Sequence, residues 1–162
     1  MNRVKTGGYG AAIAASFDLI PAALHDLIRP EFLCGSDPVF AGLHRYESTT
    51  DGRSYRNTAH CTYDFHQMHL PRARRSTTVV LPVVPSVRTV VHELGHVLHE
   101  SLLFEPQVRP VTWYAQTNWC EAFAEAFTSW VLPGEHGYGP AKDRLLASDP
   151  AAVALLDQLA AS

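Results

Sequence analysis

Residues 90 to 100 read VVHELGHVLHE, in which His92, Glu93 and His96 form an H-E-x-x-H pattern. On an α-helix, residues four apart project from nearly the same side, so the two imidazoles can bind one metal ion. Glu93 projects about 100° away from His92, so its carboxylate can reach a water molecule beside that ion. The pattern therefore predicts a zinc site suited to hydrolysis, and its alternative is a pair of structural histidines.

The residues around the pattern favour the metal site. From Ser86 to Leu103 apolar residues recur at helical spacing, and Pro106 lies beyond them, which predicts a helix. The apolar positions are Val87, Val90, Val91, Leu94, Leu98 and Leu102. A chance match to the pattern need not fall in a helix that has an apolar face.

A catalytic zinc site has three protein ligands and keeps a fourth position for water. His99 lies on the same helix side as His92 but about 10 Å farther along the axis, which is too far for bonds of ~2 Å to one ion. We expect His99 to line the cleft or to support a ligand by hydrogen bonding, with packing as the alternative.

The third ligand is expected on the next strong helix, which TNWCEAFAEAFTSWVL predicts before Pro133. Glu121 and Glu125 are four apart and share one face of this helix. We expect Glu121 to bind the metal and Glu125 to orient an imidazole by hydrogen bonding. The alternative for Glu121 is a capping box with Asn118.

Tyr114 lies in a loop just before this helix. Its phenol can reach the open side of the metal and donate a hydrogen bond to an oxyanion. The alternative is an ordinary amphipathic aromatic residue in a loop. His60, His66 and His69 either line the same cleft or lie on the surface of a hairpin, which is favoured because strand alternation places His66 and His69 on opposite faces.

The two motifs together resemble a known family. HELGH followed by YAQTNWCEAFAEAF is similar to the gluzincin metallopeptidases of the anthrax lethal factor catalytic-domain type, whose second motif is Y-x-x-T-N-x-x-E-x-F-A-E-A-F. The similar stretch runs from Val90 to Trp130. The resemblance implies a zincin-like metallopeptidase fold with Zn²⁺ as cofactor. By matching positions it implies the zinc ligands His92, His96 and Glu121, the general base Glu93, the oxyanion-binding Tyr114 and the supporting carboxylate Glu125.

The rest of the chain predicts one α+β domain over residues 1–162. We expect a helix from about 18 to 29, strands within 59–70 and 76–84, and a helical tail. A small mixed sheet would pack on the active-site helix in a sublobe of about 1–103, and a mostly helical sublobe of about 104–162 would follow. Pro82 places strand 76–84 at a sheet edge or at a strand end, and we expect an extended substrate to add along it.

The composition indicates which classes of partner and which cellular compartment to expect. A net charge of -3 gives no long-range attraction for nucleic acid or an anionic membrane. Arg72, Arg74 and Arg75 form the one dense basic cluster, which we interpret as a solvated loop, with substrate contact or a site of proteolytic nicking as the alternatives. Three cysteines without a C-x-x-C favour a reducing compartment. We expect a soluble protein, cytoplasmic by default, with export without a cleaved signal or association with a virion as alternatives.

The favoured function is that of a zinc-dependent endopeptidase acting on a peptide or protein substrate. The alternative is a zinc-stabilised binding or assembly module with little or no turnover, for instance in a virion or toxin complex. Ligand residues indicate that a metal can bind, but they do not indicate that the site catalyses a reaction. A third class is metal-dependent hydrolysis of a compound without a peptide backbone.

Overall fold

The computed structural model describes residues 8–34, 59–63, 76–82, 84–132 and 142–162. The described elements are α1 (Gly8–Leu19), β1 (Glu31–Cys34), β2 (His60–Tyr63), β3 (Thr77–Leu81), α2 (Val87–Ser101), α3 (Trp119–Val131), α4 (Lys142–Ser148) and α5 (Pro150–Ala161). Short 3₁₀ turns lie at Ala22–Leu24 and Tyr114–Gln116. This order confirms an α+β architecture that is mostly helical, especially after the strands.

The described strands form one mixed sheet in the order β1-β3-β2. β1 runs parallel to β3, with Phe32 opposite Val79, and β2 runs antiparallel to it, with Cys61 opposite Val79. β1 falls in a segment whose polar, turn-rich composition predicts no strand. The small mixed sheet expected from the sequence is thus present, but with an unexpected parallel partner.

The position of β3 corrects one expectation and confirms another. Pro82 follows the last residue of β3 directly, as expected for a proline at a strand end. The edge interpretation is wrong, because β3 is paired on both sides and is the central strand. The expectation that a substrate adds along residues 76–84 is therefore wrong as well, since both backbone edges of this strand are already used.

The helix expected over residues 18–29 is wrong. The α-helix lies earlier, at Gly8–Leu19, and only a 3₁₀ turn follows Pro21. The alanine-rich stretch has high helix propensity, and Pro21 disfavours helical backbone at the residue before it. Ser16, whose residue type suits a cap of the expected helix, instead donates its hydroxyl to the carbonyl of Ala12 at 2.7 Å within α1.

Helix α2 is the centre of the fold. Ser86 caps it by accepting from the backbone N–H of Thr89, and the helix confirms the one predicted from Ser86 to Leu103. It packs on α1, α3, β2 and β3. The shared core contains Val90, Val91, Leu94, Leu98, Val79, Leu81, Phe123 and Phe127. Because α2 is covered on several sides, its polar residues His92, Glu93 and His99 are buried and need polar partners.

Helix α3 begins as predicted and connects the core to the C-terminal helices. Asn118 caps it by accepting from the backbone N–H of Glu121 at 3.0 Å. A second apolar cluster joins it to α4 and α5 and contains Ala126, Leu145, Ala152 and Val153. The buried Asp149 caps α5 and also accepts from the backbone N–H of Arg109 at 2.7 Å. This contact ties the segment between α2 and α3 to the C-terminal helices.

Several expectations concern residues outside the described ranges. These are a hairpin that TDGR could close between HRYES and SYRNT, the cluster of Arg72, Arg74 and Arg75, and the histidines His66 and His69. His60 begins β2, with Val80 opposite it in β3. Within the described residues, no helix combines the length and the apolar character needed to cross a bilayer.

Candidate metal centre

The site lies between α2 and α3, which are in close contact at Gly95. A Cβ atom at this residue would lie 3.0 Å from the Cα of Ala124 and 3.1 Å from Cδ1 of Phe127. Only a residue without a side chain permits this helix separation without displacement of backbone. The close approach brings the histidine face of α2 against the glutamate face of α3.

Three donor atoms converge between the two helices. Nε2 of His92 lies 3.0 Å and Nε2 of His96 lies 3.3 Å from Oε2 of Glu121. One donor atom from each residue lies within 4.8 Å of the others. Ligands bound tetrahedrally to zinc at ~2.0 Å lie ~3.3 Å from one another. The two separations from the Glu121 oxygen are close to this value, and they also suit hydrogen bonds.

The three ligand candidates remain partly open to solvent. The exposed fraction of the side chain is 11% for His92, 16% for His96 and 17% for Glu121. An ion held by these three residues can thus take a fourth ligand from solution, as a catalytic zinc site requires. One of the two hydrogen bonds of the capping-box alternative is present, since the side chain of Asn118 accepts from the backbone N–H of Glu121. The carboxylate of Glu121 lies against His92 instead.

Glu125 lies on the other side of His92. Its Oε1 accepts a hydrogen bond from Nδ1 of His92 at 2.9 Å. Nη2 of Arg88 lies 3.2 Å from Oε1 and 3.1 Å from Oε2 of the same carboxylate. A hydrogen bond at Nδ1 fixes the imidazole orientation and leaves Nε2 to face an ion. This is the arrangement expected of a carboxylate that orients an imidazole.

The charges of the site are strongly coupled. Burial acts to lower the pKa of His92, but hydrogen bonds to Glu121 and Glu125 and the charge of Glu93 raise the pKa from 6.5 to about 9. Burial acts to raise the pKa of Glu121, but hydrogen bonds and charges from His92 and His96 hold that pKa well below its usual range. The metal-free site thus favours a protonated His92, and a dication would replace that proton.

The pKa of Glu125 is also lowered. Burial acts to raise it, but the hydrogen bond from His92 and the charge of Arg88 outweigh burial. Glu125 is therefore an anion at neutral pH, which makes it a strong acceptor for the imidazole N–H.

Glu93 and Tyr114 lie near the converging donors. Glu93 is 7% exposed, and its negative charge is close enough to raise the pKa of His92. The 3₁₀ turn before α3 places the ring of Tyr114 5.9 Å, between centroids, from the ring of His92. Tyr114 is 40% exposed, so its phenol is accessible to a molecule that enters from solvent.

His99 is placed apart from this convergence. It is 2% exposed, its Nε2 lies 2.7 Å from Oε1 of Glu105, and its ring lies 5.2 Å from the ring of Phe123. These are contacts of the kind that the packing alternative requires. A supporting role of His99 toward the ligands stays a prediction.

Sequence reasoning missed two residues of the site. Arg88 is four residues before His92 and so lies one turn earlier on the same side of α2, a spacing that could have identified it. Gly95 lies within the motif itself, and the small residue Ala124 opposite it could have indicated a close helix contact. Neither contact partner can be chosen from sequence alone, because each lies on the other helix.

Comparisons of the chain with protein-family models, curated proteins and solved structures give no match. The resemblance to gluzincins therefore rests on the two motifs, and the proposed function rests on the geometry of the site.

Proposed function

We propose that this chain is a zinc-dependent endopeptidase of the gluzincin type. The observation that carries the proposal is the convergence of His92 Nε2, His96 Nε2 and Glu121 Oε2 at separations of 3.0 and 3.3 Å, close to those of ligands on a tetrahedral ion. Two imidazoles and one carboxylate are a donor set that catalytic zinc sites use. The packing of β2 and β3 on α2 supports a zincin-type arrangement of the α+β fold.

The residues around the ligands have complementary roles in peptide hydrolysis. When bound, zinc would polarise the scissile carbonyl and lower the pKa of a water molecule to about 7. Glu93 accepts a proton from that water and passes it to the departing amine. Tyr114 donates a hydrogen bond to the oxyanion that forms from the carbonyl oxygen. Glu125 holds the imidazole of His92 in the orientation that presents Nε2 to the ion.

Metal analysis combined with peptide-library cleavage tests this function. We expect the purified protein to bind one zinc ion per chain and to cleave a subset of the peptides. Glu93→Gln should lower cleavage by about 10²- to 10⁴-fold, the usual contribution of a general base, while zinc content and fold are retained. A Glu93→Gln protein that cleaves as fast as the wild type would contradict the assigned role of Glu93.

The second candidate is a zinc-stabilised binding or assembly module. It is supported by the fact that the candidate ligands lie on both α2 and α3, so a bound ion would also hold these helices together. The two candidates are separated by the same library. Zinc binding without cleavage of any peptide would favour the module over the endopeptidase. Cleavage of an ester or amide that lacks a peptide backbone would instead favour non-peptide hydrolysis.

A further inference from the structure

Arg88 contacts the candidate metal centre through the carboxylate of Glu125 and is not itself a candidate ligand. It is the second residue of α2, and its Nη2 lies within 3.2 Å of both carboxylate oxygens of Glu125 on α3. The side chain of Glu125 is only 5% exposed, whereas that of Arg88 is 29% exposed. The guanidinium therefore lies between a nearly buried anion and the solvent.

Oε1 of Glu125 has two partners in this arrangement. It accepts from Arg88 at 3.2 Å and from Nδ1 of His92 at 2.9 Å. A carboxylate that is almost removed from water must keep its partners or lose its charge. Within the described part of the chain, removal of the arginine would leave Nδ1 of His92 as the one remaining hydrogen-bond donor to the side chain of Glu125, and Oε2 would lose its contact with Nη2 of Arg88.

We propose that Arg88 is a positioning residue of the metal centre, which holds Glu125 where it orients the imidazole of His92 toward the ion. The inference rests on the zinc site of the proposed function but not on peptide cleavage. It accounts for the position of Arg88 one helical turn before the motif, on the side of α2 that contacts Glu125. Arg88 and His92 lie one turn apart and contact the same carboxylate from one helix face.

Zinc affinity, measured by competition with a chromophoric chelator, tests this role. Outer partners of metal ligands change affinity by 10- to 100-fold, and we expect Arg88→Met to weaken zinc binding by about tenfold, at the lower end of that range. Arg88→Lys keeps a cation that can reach the carboxylate and should restore most of the affinity. The matched control is Arg144→Met, which removes the same charge from an exposed position on α4 and should leave affinity unchanged.

A double-mutant cycle distinguishes positioning through Glu125 from a general effect of charge. In the Glu125→Gln background, Arg88→Met should weaken zinc binding by less than about twofold, because the residue through which it acts has been changed. Equal losses in both backgrounds, or equal affinities of Arg88→Met and Arg144→Met, would overturn the inference.

Imidazole NMR of the zinc-loaded protein gives a readout that a purely structural role would not change. The Nδ1–H proton of His92 should exchange with water faster in Arg88→Met than in wild type or Arg88→Lys. If Arg88→Met does not fold, Arg88→Gln, which keeps an amide donor without the charge, replaces it in both measurements. A wild-type protein that binds zinc but cleaves no peptide would overturn the endopeptidase alone. A wild type that binds no zinc would overturn both proposals.

Discussion

Two regions of α2 each bury a histidine beside a carboxylate, yet they form different kinds of site. In the middle of the helix, His92 lies between Glu121 and Glu125, and His96 lies against the same Glu121 oxygen. Near the C-terminal end, His99 pairs with Glu105, and its ring lies 5.2 Å from the tilted ring of Phe123. Burial and a partner carboxylate are common to both regions. What differs is the convergence of several donors on one point, and this convergence is what a metal ion requires.

The largest expected effect comes from removal of one converging donor. Glu121→Gln should weaken zinc binding by more than about 100-fold, the upper range for residues that only support ligands. Glu105→Gln makes the same chemical change beside His99 and should leave zinc affinity unchanged. Chelator competition on both proteins provides the measurement. Similar losses in the two variants would show that the two regions of the helix do not differ in metal binding.

A second large effect is expected from the phenol near His92. Tyr114→Phe should lower kcat for peptide cleavage by about 100-fold with little change in zinc content, because it removes one hydrogen-bond donor to the oxyanion. Steady-state kinetics on the best library peptide would measure this. A change confined to KM would instead assign Tyr114 to substrate binding.

Changes around His99 should affect the stability of the fold and not the affinity for zinc. Glu105→Gln replaces a charged partner of a buried imidazole by a neutral one, which should lower the free energy of unfolding by about 1 kcal/mol. Denaturant unfolding of the metal-free protein would measure the loss. A clear fall in zinc affinity in His99→Gln would instead establish the supporting role that the sequence predicts for His99.

The close helix contact should couple stability to metal binding. In Gly95→Ala the new methyl group would meet Ala124 and Phe127, which we expect to cost about 1–3 kcal/mol. Higher helix propensity of alanine offsets about 1 kcal/mol of this cost. The net result should be a modest loss of stability, by denaturant unfolding, together with weaker zinc binding. A more stable variant with unchanged affinity would show that the helix separation can relax.

The smallest expected effect is the pH dependence of stability and of zinc binding. The folded-state pKa of His92 is about 9 against 6.5 for the unfolded chain. Charged His92 therefore stabilises the metal-free fold fully below pH 6.5, and this contribution is lost as pH rises through about 9. Zinc needs the neutral imidazole, so binding at neutral pH should release about one proton and tighten as pH rises through the same window. Calorimetry in buffers of different ionisation enthalpy would count the protons, and no release would contradict a protonated His92.

Local chemistry accounts for most of what the sequence predicts correctly. The two helices that carry the candidate ligands, and the phase of each candidate ligand on them, follow from residue types and spacing within a few turns. The first helix lies earlier than predicted because the helix propensity of the alanines outweighs the capping residues near Pro21. The central place of β3 is not predictable in this way, because a proline shows where a strand can end but not how many neighbours the strand has.

The side chains that share a helix face can be identified from residue spacing, because 3.6 residues per turn is a property of the backbone. This periodicity alone places His92 with His96 and Glu121 with Glu125. Residue spacing does not show that the two faces meet, that Arg88 contacts Glu125, or that His99 pairs with Glu105, and these contacts are known only from the folded chain. These outcomes depend on the packing distance between α2 and α3 and on the path of the connecting segment, which no local periodicity specifies.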